Sequence, residues 1–157
     1  MGNNKLRKVT LCILFDKDRV LLAMKKRGFG VGKWNGTGGK LKDGETIEEA
    51  MLRETKEEIN VLPVEYYEAA VIDFFFDGKE EFNQEMHAFL CKKWEGEPSE
   101  SEEMLPKWFD INSIPFNEMW EDDRIWIPYV LEGRKIEANF KFDKSEKIKE
   151  INLKMKS

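Results

Sequence analysis

Apolar, β-branched residues fill the stretch from Val9 to Phe15, the polar trio Asp16-Lys17-Asp18 breaks it, and a second apolar run follows from Val20 to Met24. Two such runs around a polar break predict a β-hairpin. Residues 28–39 then carry Gly28, Gly30, Gly32, Gly36, Gly38 and Gly39, with Lys33 and Asn35 flanking Trp34. A glycine-rich connection of this length predicts a loop with a role in binding rather than a linker. Beyond it the period changes. Thr46 with Glu49 three residues later has the form of a capping box, so a helix starts there. Met51, Leu52, Thr55 and Ile59 share one arc of a helix of about 3.6 residues per turn, and that arc faces the core. Asn60 suits the left-handed residue that closes a helix.

The remaining runs predict strands at Val71 to Phe76 and Phe82 to Cys91, joined through Asp77-Gly78-Lys79, and a short strand from Lys107 to Ile111. Glu95 to Glu103 is polar and acidic and predicts a loop. Asp122 opens a second helix that runs through Ile127 to Leu131. Ala138 to Phe142 and Ile148 to Met155 alternate well enough for two final strands. The order of strands, helix, strands, helix, strands argues for an α+β fold, an α/β/α sandwich with a mixed sheet between helices. No repeat, low-complexity tract or boundary interrupts the 157 residues, which predicts one domain over 1–157.

Charge narrows the chemistry. The formal net charge is -5, whereas a protein that grips polymeric DNA or RNA through phosphates usually has a basic face. Cys12 and Cys91 both lie in apolar strand-like runs and are expected to be buried, reduced thiols, consistent with a cytoplasmic protein. No Cys/His cluster suggests zinc, and His87, the one histidine, reads as a structural strand residue. The apolar run after Lys5, Arg7 and Lys8 is too short for a targeting or spanning segment. Met1-Gly2 fails as a myristoylation start because Leu6 stands where Ser or Thr is wanted.

The helix from Thr46 to Ile59 carries the chemistry. Glu54, Glu57 and Glu58 fall on an arc adjacent to the apolar one, with Ala50 among them. Carboxylates so placed repel one another and need compensation. A solvated face helped by Arg53 and Lys56 is the ordinary solution. A divalent cation is the other, because magnesium and manganese take carboxylate, phosphate and water oxygens. The loop before the helix adds weight to the second: Gly38-Gly39-Lys40 lets a backbone approach a ligand closely, and Gly44-Glu45 tightens the turn into the helix.

Gly39, Glu45, Arg53-Glu54, Thr55, Lys56, Glu57-Glu58, Ile59, Asn60 and Val61 together form a pattern that resembles the box of the Nudix hydrolase family. It departs from that box where Thr55 replaces an aliphatic residue and Asn60 a glycine; neither change touches a carboxylate. The resemblance implies hydrolysis of a nucleoside diphosphate linked to another group. It implies Mg²⁺, or Mn²⁺, held by Glu54, Glu57, Glu58 and the backbone carbonyl of Gly38, with Glu45 and Arg53 fixing the helix and its carboxylates. Water then attacks phosphorus in line, with Glu54 or Glu57 taking its proton.

Outside the box the likeness is to the branch of this family that hydrolyses oxidised purine nucleoside triphosphates, such as 8-oxo-dGTP, to the monophosphate and pyrophosphate, a nucleotide-pool sanitation that serves DNA repair. It is carried by Lys25-Lys26-Arg27-Gly28-Phe29-Gly30-Val31-Gly32-Lys33-Trp34-Asn35-Gly36-Thr37-Gly38-Gly39, by Pro115-Phe116-Asn117-Glu118-Met119-Trp120-Glu121-Asp122-Asp123, by Glu102-Glu103-Met104 and by Asn139-Phe140-Lys141-Phe142. It implies that Asn35, Asp122 and Asp123 meet the base edge, that Trp120, Phe29 and Phe74 wall the base, and that Thr10, Lys25, Thr37, Gly38, Gly39 and Lys40 stand on the substrate side. Glu103 is implied as a further metal ligand. One protonated and one ionised Asp would donate and accept together, since adjacent carboxyls do not both ionise easily in a dry pocket. Helix capping remains the plain reading of Asp122, and core packing that of Trp120 and Phe29. The loop from Gly28 to Lys33 has the spacing of neither a P-loop nor a dinucleotide fingerprint. A small-molecule nucleotide is thus the expected partner of a monomer, with no polymeric nucleic acid and no membrane. Another nucleoside diphosphate derivative, undamaged dNTPs, and a non-catalytic nucleotide-binding module stay open as alternatives.

Overall fold

The computed structural model describes residues 6–156, so the Met1-Gly2 start lies outside the described residues. The elements in chain order are β1 (Arg7–Asp16), β2 (Arg19–Lys25), β3 (Trp34–Asn35), α1 (Ile47–Ile59), β4 (Leu62–Phe76), β5 (Gln84–Glu95), β6 (Met104–Asp110), α2 (Asp123–Leu131), β7 (Lys135–Phe142) and β8 (Ile148–Lys156). The strands run in the order β3-β2-β1-β5-β4-β7-β8, with β6 also paired to β2. β1 lies parallel to β5 and β4 parallel to β7, while the other pairs are antiparallel, so the sheet is mixed.

The period of two along β1 sorts its side chains between two cores. Val9, Leu11 and Ile13 join Phe74, Phe76, Phe140 and Phe142 against Trp126, Ile127 and Val130 of α2. Cys12 and Leu14 point the other way and join Phe89 and Cys91 against Met51 and Ile59 of α1. A helix on each face makes this the expected α/β/α sandwich. Cys12 and Cys91 are buried as free thiols in the second core. His87 sits in β5, its ring nitrogens 2.9 Å from Glu68 and 2.6 Å from Glu85. Among the described residues no helix is long and apolar enough to cross a membrane.

Several strands are longer than their apolar pattern. β4 starts at Leu62 rather than Val71, and its first half is irregular, with register shifts against β5 between Pro63 and Ala70. Bulges break the alternation that marks a strand in sequence. β7 likewise begins at Lys135. The glycine loop is also more ordered than expected: Trp34 and Asn35 pair with β2, and isolated bridges tie Thr37 to Cys12 and Lys40 to Val9.

Candidate active site

The acid-bearing helix is anchored at both ends. The Thr46 hydroxyl accepts from the Glu49 N–H at 3.1 Å, and the Thr46 N–H donates to the Glu49 carboxylate at 2.9 Å. Asn60 closes the helix at φ 62 and ψ 40, its N–H donating to the Lys56 carbonyl. Thr55 is fully buried, and its hydroxyl lies 3.1 Å from that of Thr37. The hydroxyl at the usually aliphatic position is therefore satisfied rather than a packing fault.

The glycine segment runs alongside β1. The Thr10 N–H donates to the Gly39 carbonyl at 2.9 Å, and Cys12 and Thr37 exchange two backbone hydrogen bonds. A Cβ on Gly38 would lie 1.8 Å from the Thr10 carbonyl oxygen, and one on Gly39 would lie 2.6 Å from the Glu54 carboxylate. The first glycine lets two strands touch; the second leaves room for a carboxylate at the strand.

Each glutamate has a different setting. Glu58 is buried, and its carboxylate accepts from the Gly38 N–H at 2.8 Å. Burial, with Glu54 and Glu103 nearby, raises its pKa to about 8 despite that hydrogen bond and Lys25. Glu54 is partly buried and 2.5 Å from Arg53. Arg53 grips Glu45 with two nitrogens, at 2.6 and 2.9 Å, and donates to the Lys40 carbonyl at 3.1 Å. That grip, more than any other contact, lowers Glu45 to about 2. Arg53 thus straps the loop to the helix. Glu57 is exposed, with only a 3.4 Å contact to Arg53. The arc expected to gather all three acids instead splits them: Glu58 turns toward the core, and Leu52, expected in the core, is only half-buried.

Among the described residues, no three acidic, histidine or cysteine side chains stand close enough to form a ready-made cation cage. The donor set nevertheless fits a hard cation. Glu54, Glu58 and Glu103 offer only oxygens at one end of one cavity, and Glu58 is held there although burial, and after it the neighbouring Glu54 and Glu103, disfavours its charge.

That cavity, of about 610 Å³, reaches from Glu54, Glu58 and Glu103 past Lys25 and Asn35 to an aromatic chamber. The chamber contains Phe29, Phe74, Phe76, Phe82, Trp120 and Phe142. Phe29 stacks on Phe82 with ring centres 4.1 Å apart and 8° between planes, and lies 5.1 Å from Trp120. Three loops meet here, because Glu146 pairs with Lys33 at 3.8 Å and Lys79 at 3.0 Å, and the Lys33 ammonium lies 5.0 Å over Trp120.

Asp122 and Asp123 are buried on the chamber wall. The helix-capping reading of Asp122 fails: its side chain caps no backbone N–H, and its Oδ2 accepts from the Trp126 indole N–H at 2.8 Å. Asp123 has an oxygen out of water with no partner. Desolvation raises Asp122 to about 6 and Asp123 further, where the neighbouring Asp122 adds to the rise. A buried acid lacking a partner and lining a cavity is ready to meet a ligand's donor or acceptor.

This pair should also tilt stability with pH. An acid with a raised folded pKa favours the folded state below its unfolded pKa and loses that contribution as pH rises through the folded one. From the ordinary 3.8 to about 6, the thermal midpoint of the wild-type protein should therefore fall relative to an Asp122→Asn/Asp123→Asn variant. Glu45, shifted down, acts in a more acid window. A midpoint difference that stays flat between these two pH values would contradict the buried, protonated pair.

Of the expected site residues, Thr10, Lys25, Phe29, Asn35, Gly38, Gly39, Lys40, Arg53, Glu54, Glu58, Phe74, Glu103, Trp120, Asp122 and Asp123 line one cavity. Thr37, Glu45 and Glu57 do not. Thr37 is buried behind the glycine segment, its hydroxyl spent on Thr55 and the Cys12 carbonyl. Glu45 is engaged by Arg53, and Glu57 faces solvent. The cavity adds Arg7, Phe76, Phe82, Gln84, Met86 and Phe142, which sequence reasoning had not singled out. Phe82, expected to open a strand, lies instead in a 3-10 turn from Glu80 to Phe82 before β5; for the others the shared side follows from strand alternation, but only the pairing of β1, β5, β4 and β7 brings them to one chamber.

A family model described as NUDIX domain matches residues 5–130. The chain is 46% identical over 145 residues to the oxidized purine nucleoside triphosphate hydrolase of Danio rerio, spanning 92% of each chain. It is 42% identical over 148 residues to the Mus musculus protein of the same name, spanning 94% of each. A mutator MutT protein from Bacillus halodurans has a similar crystal structure, with TM-score 0.82 and 28% identity over 94% of this chain and 97% of that one.

Proposed function

Because this chain belongs to the Nudix hydrolase family, we propose that it hydrolyses oxidised purine nucleoside triphosphates, 8-oxo-dGTP among them, to monophosphate and pyrophosphate. The single observation that carries the reading is one cavity with hard oxygen donors at one end and two buried aspartic acids in an aromatic chamber at the other. The chamber suits a purine, whose stacking on an aromatic ring contributes about 1–3 kcal/mol per base.

In this reading Glu54, Glu58 and Glu103, with the Gly38 carbonyl and with Glu57 from the next exposed position, would hold Mg²⁺ or Mn²⁺. Such a cation, when bound, neutralises phosphate charge and makes water a stronger nucleophile. The chain's own residues do the rest. Arg53 holds Glu54 and the Lys40 carbonyl so that helix and loop keep their spacing. Lys25 presents a positive charge to the phosphate end. Trp120 and Phe29, in contact with each other, wall the base, Asn35 and the Asp pair meet its edge, and the aromatic lining disfavours water at the base contacts. With one proton shared between Asp122 and Asp123, the pair both donates and accepts, which suits an oxidised guanine and, with the proton moved, an oxidised adenine.

A turnover screen of oxidised and normal dNTPs with magnesium, scored by pyrophosphate release, tests the proposal. Oxidised purines should lead the ranking. Asp122→Asn and Asp123→Asn should each shift the ratio between oxidised guanine and oxidised adenine substrates. Equal turnover of all dNTPs, or a ratio untouched by both variants, counts against it.

A further inference from the structure

We infer that Arg7, set by Phe82 and Gln84 where β1 enters the sheet, is a specificity-determining residue that binds the additional exocyclic oxygen of an oxidised purine. The inference rests on the function proposed above and concerns the same chamber.

Arg7 is on the Val9–Leu11 side of β1 and lines the chamber rather than leaving it for solvent. Its guanidinium lies 5.3 Å from the centre of the Phe82 ring, the ring that stacks on Phe29. One amino group donates to the Gln84 carbonyl oxygen at 3.2 Å, and Gln84 is the β5 residue registered with Arg7. Among the described residues its side chain bonds to Gln84 and forms no ion pair, and its Nε is out of water without an acceptor. Burial lowers its pKa, as expected for a cation with no counter-charge.

A guanidinium has five donors. The buried Nε donor is left without an acceptor, which is costly unless a ligand supplies one. The acid end of the cavity already accounts for the triphosphate with its cation, and the Asp pair accounts for the donor-bearing base edge. An oxidised purine differs from its parent by one more carbonyl oxygen on a ring carbon, an acceptor, and by the proton that the adjacent ring nitrogen gains. The Asp pair has one proton to give and spends it on the base edge, whereas a guanidinium fork offers several donors to such an oxygen. Phe82 and Gln84 hold the guanidinium at the chamber wall, so its remaining donors are within reach of a ligand there.

The test uses Arg7→Met, which keeps the stem and removes the donors, and Arg7→Lys, which keeps the charge and loses the fork. Affinity is measured for an oxidised purine nucleoside monophosphate and its unoxidised parent without added metal, alongside kcat and KM for the two triphosphates. Losing a charged hydrogen bond should weaken the oxidised monophosphate roughly ten-fold or more in Arg7→Met while the parent stays within about two-fold. The triphosphate pair should show the same selective loss as a rise in KM, and Arg7→Lys should fall between. Equal weakening of both nucleotides, or of neither, overturns the inference while leaving the proposed function intact. A wild-type protein with no preference for oxidised triphosphates overturns the proposed function, and this inference with it. Should Arg7→Met fold poorly, a selective loss in Arg7→Lys still supports the inference, and its absence refutes it.

Discussion

Glu58→Gln is expected to reduce turnover by about 10²–10⁴-fold while leaving the fold intact. Glu58 is buried, and its one described hydrogen bond is accepted from the Gly38 N–H at 2.8 Å. A glutamine amide oxygen accepts that same bond, so the loop stays seated on the helix. What disappears is the capacity of this position to become negative, which burial already disfavours. At neutral pH the unfolding midpoint should therefore be unchanged or slightly higher, because wild-type Glu58 is held protonated in the fold while the unfolded chain ionises freely, and a glutamine has no such proton to lose. Nucleotide should still enter the aromatic chamber, since Trp120, Asp122 and Asp123 are untouched. Turnover measured beside thermal unfolding and monophosphate binding separates these effects. Wild-type turnover in Glu58→Gln would remove this carboxylate from the reaction.

Two neighbouring glycines should fail in opposite ways. In Gly38→Ala the new methyl would sit 1.8 Å from the Thr10 carbonyl oxygen, with the Leu11 Cα at 3.0 Å. Both obstacles are backbone of β1, a strand hydrogen-bonded to β2 and β5, so neither yields without breaking the sheet. The cost should exceed about 4–5 kcal/mol, which is a large share of a typical domain's stability. Little folded protein is expected, visible as loss of cooperative thermal unfolding. In Gly39→Ala the nearest obstacle to the methyl is the Glu54 carboxylate, at 2.6 Å. That carboxylate swings away and the fold survives, but the acid end of the cavity is disordered and turnover should drop by at least about 10²-fold. Similar unfolding midpoints for the two variants would contradict this division between a structural and a functional glycine.

The two halves of the site were legible in sequence to different degrees. The capping box of Thr46 and Glu49, the left-handed Asn60 and the spacing of Arg53 and the glutamates are local features. Each depends on residues within a few turns of one helix, so the chain alone specifies them. The same holds for the hairpin of β1 and β2 and for the core-facing strand pattern at Val71 to Phe76. The first half of β4 was not legible, because bulges against β5 remove the regular alternation. Glu58 was expected beside Glu54 and Glu57, but helix period fixes only relative angles. How far the helix is rolled against the sheet, set by Met51, Thr55 and Ile59, sends Glu58 inward and leaves Glu57 outside.

By itself the sequence determined the local chemistry: which residues cap, which bend, which carry charge, and the interval between them. Only the tertiary structure decided which charges lose their water. Asp122 looks like a helix cap until Trp126 and the sheet bury it, and Arg7 looks like a surface charge until Phe82 and Gln84 enclose it. Desolvation belongs to the packed surroundings of a group. Those surroundings come from strands far apart in the chain, so no local pattern of residues encodes them.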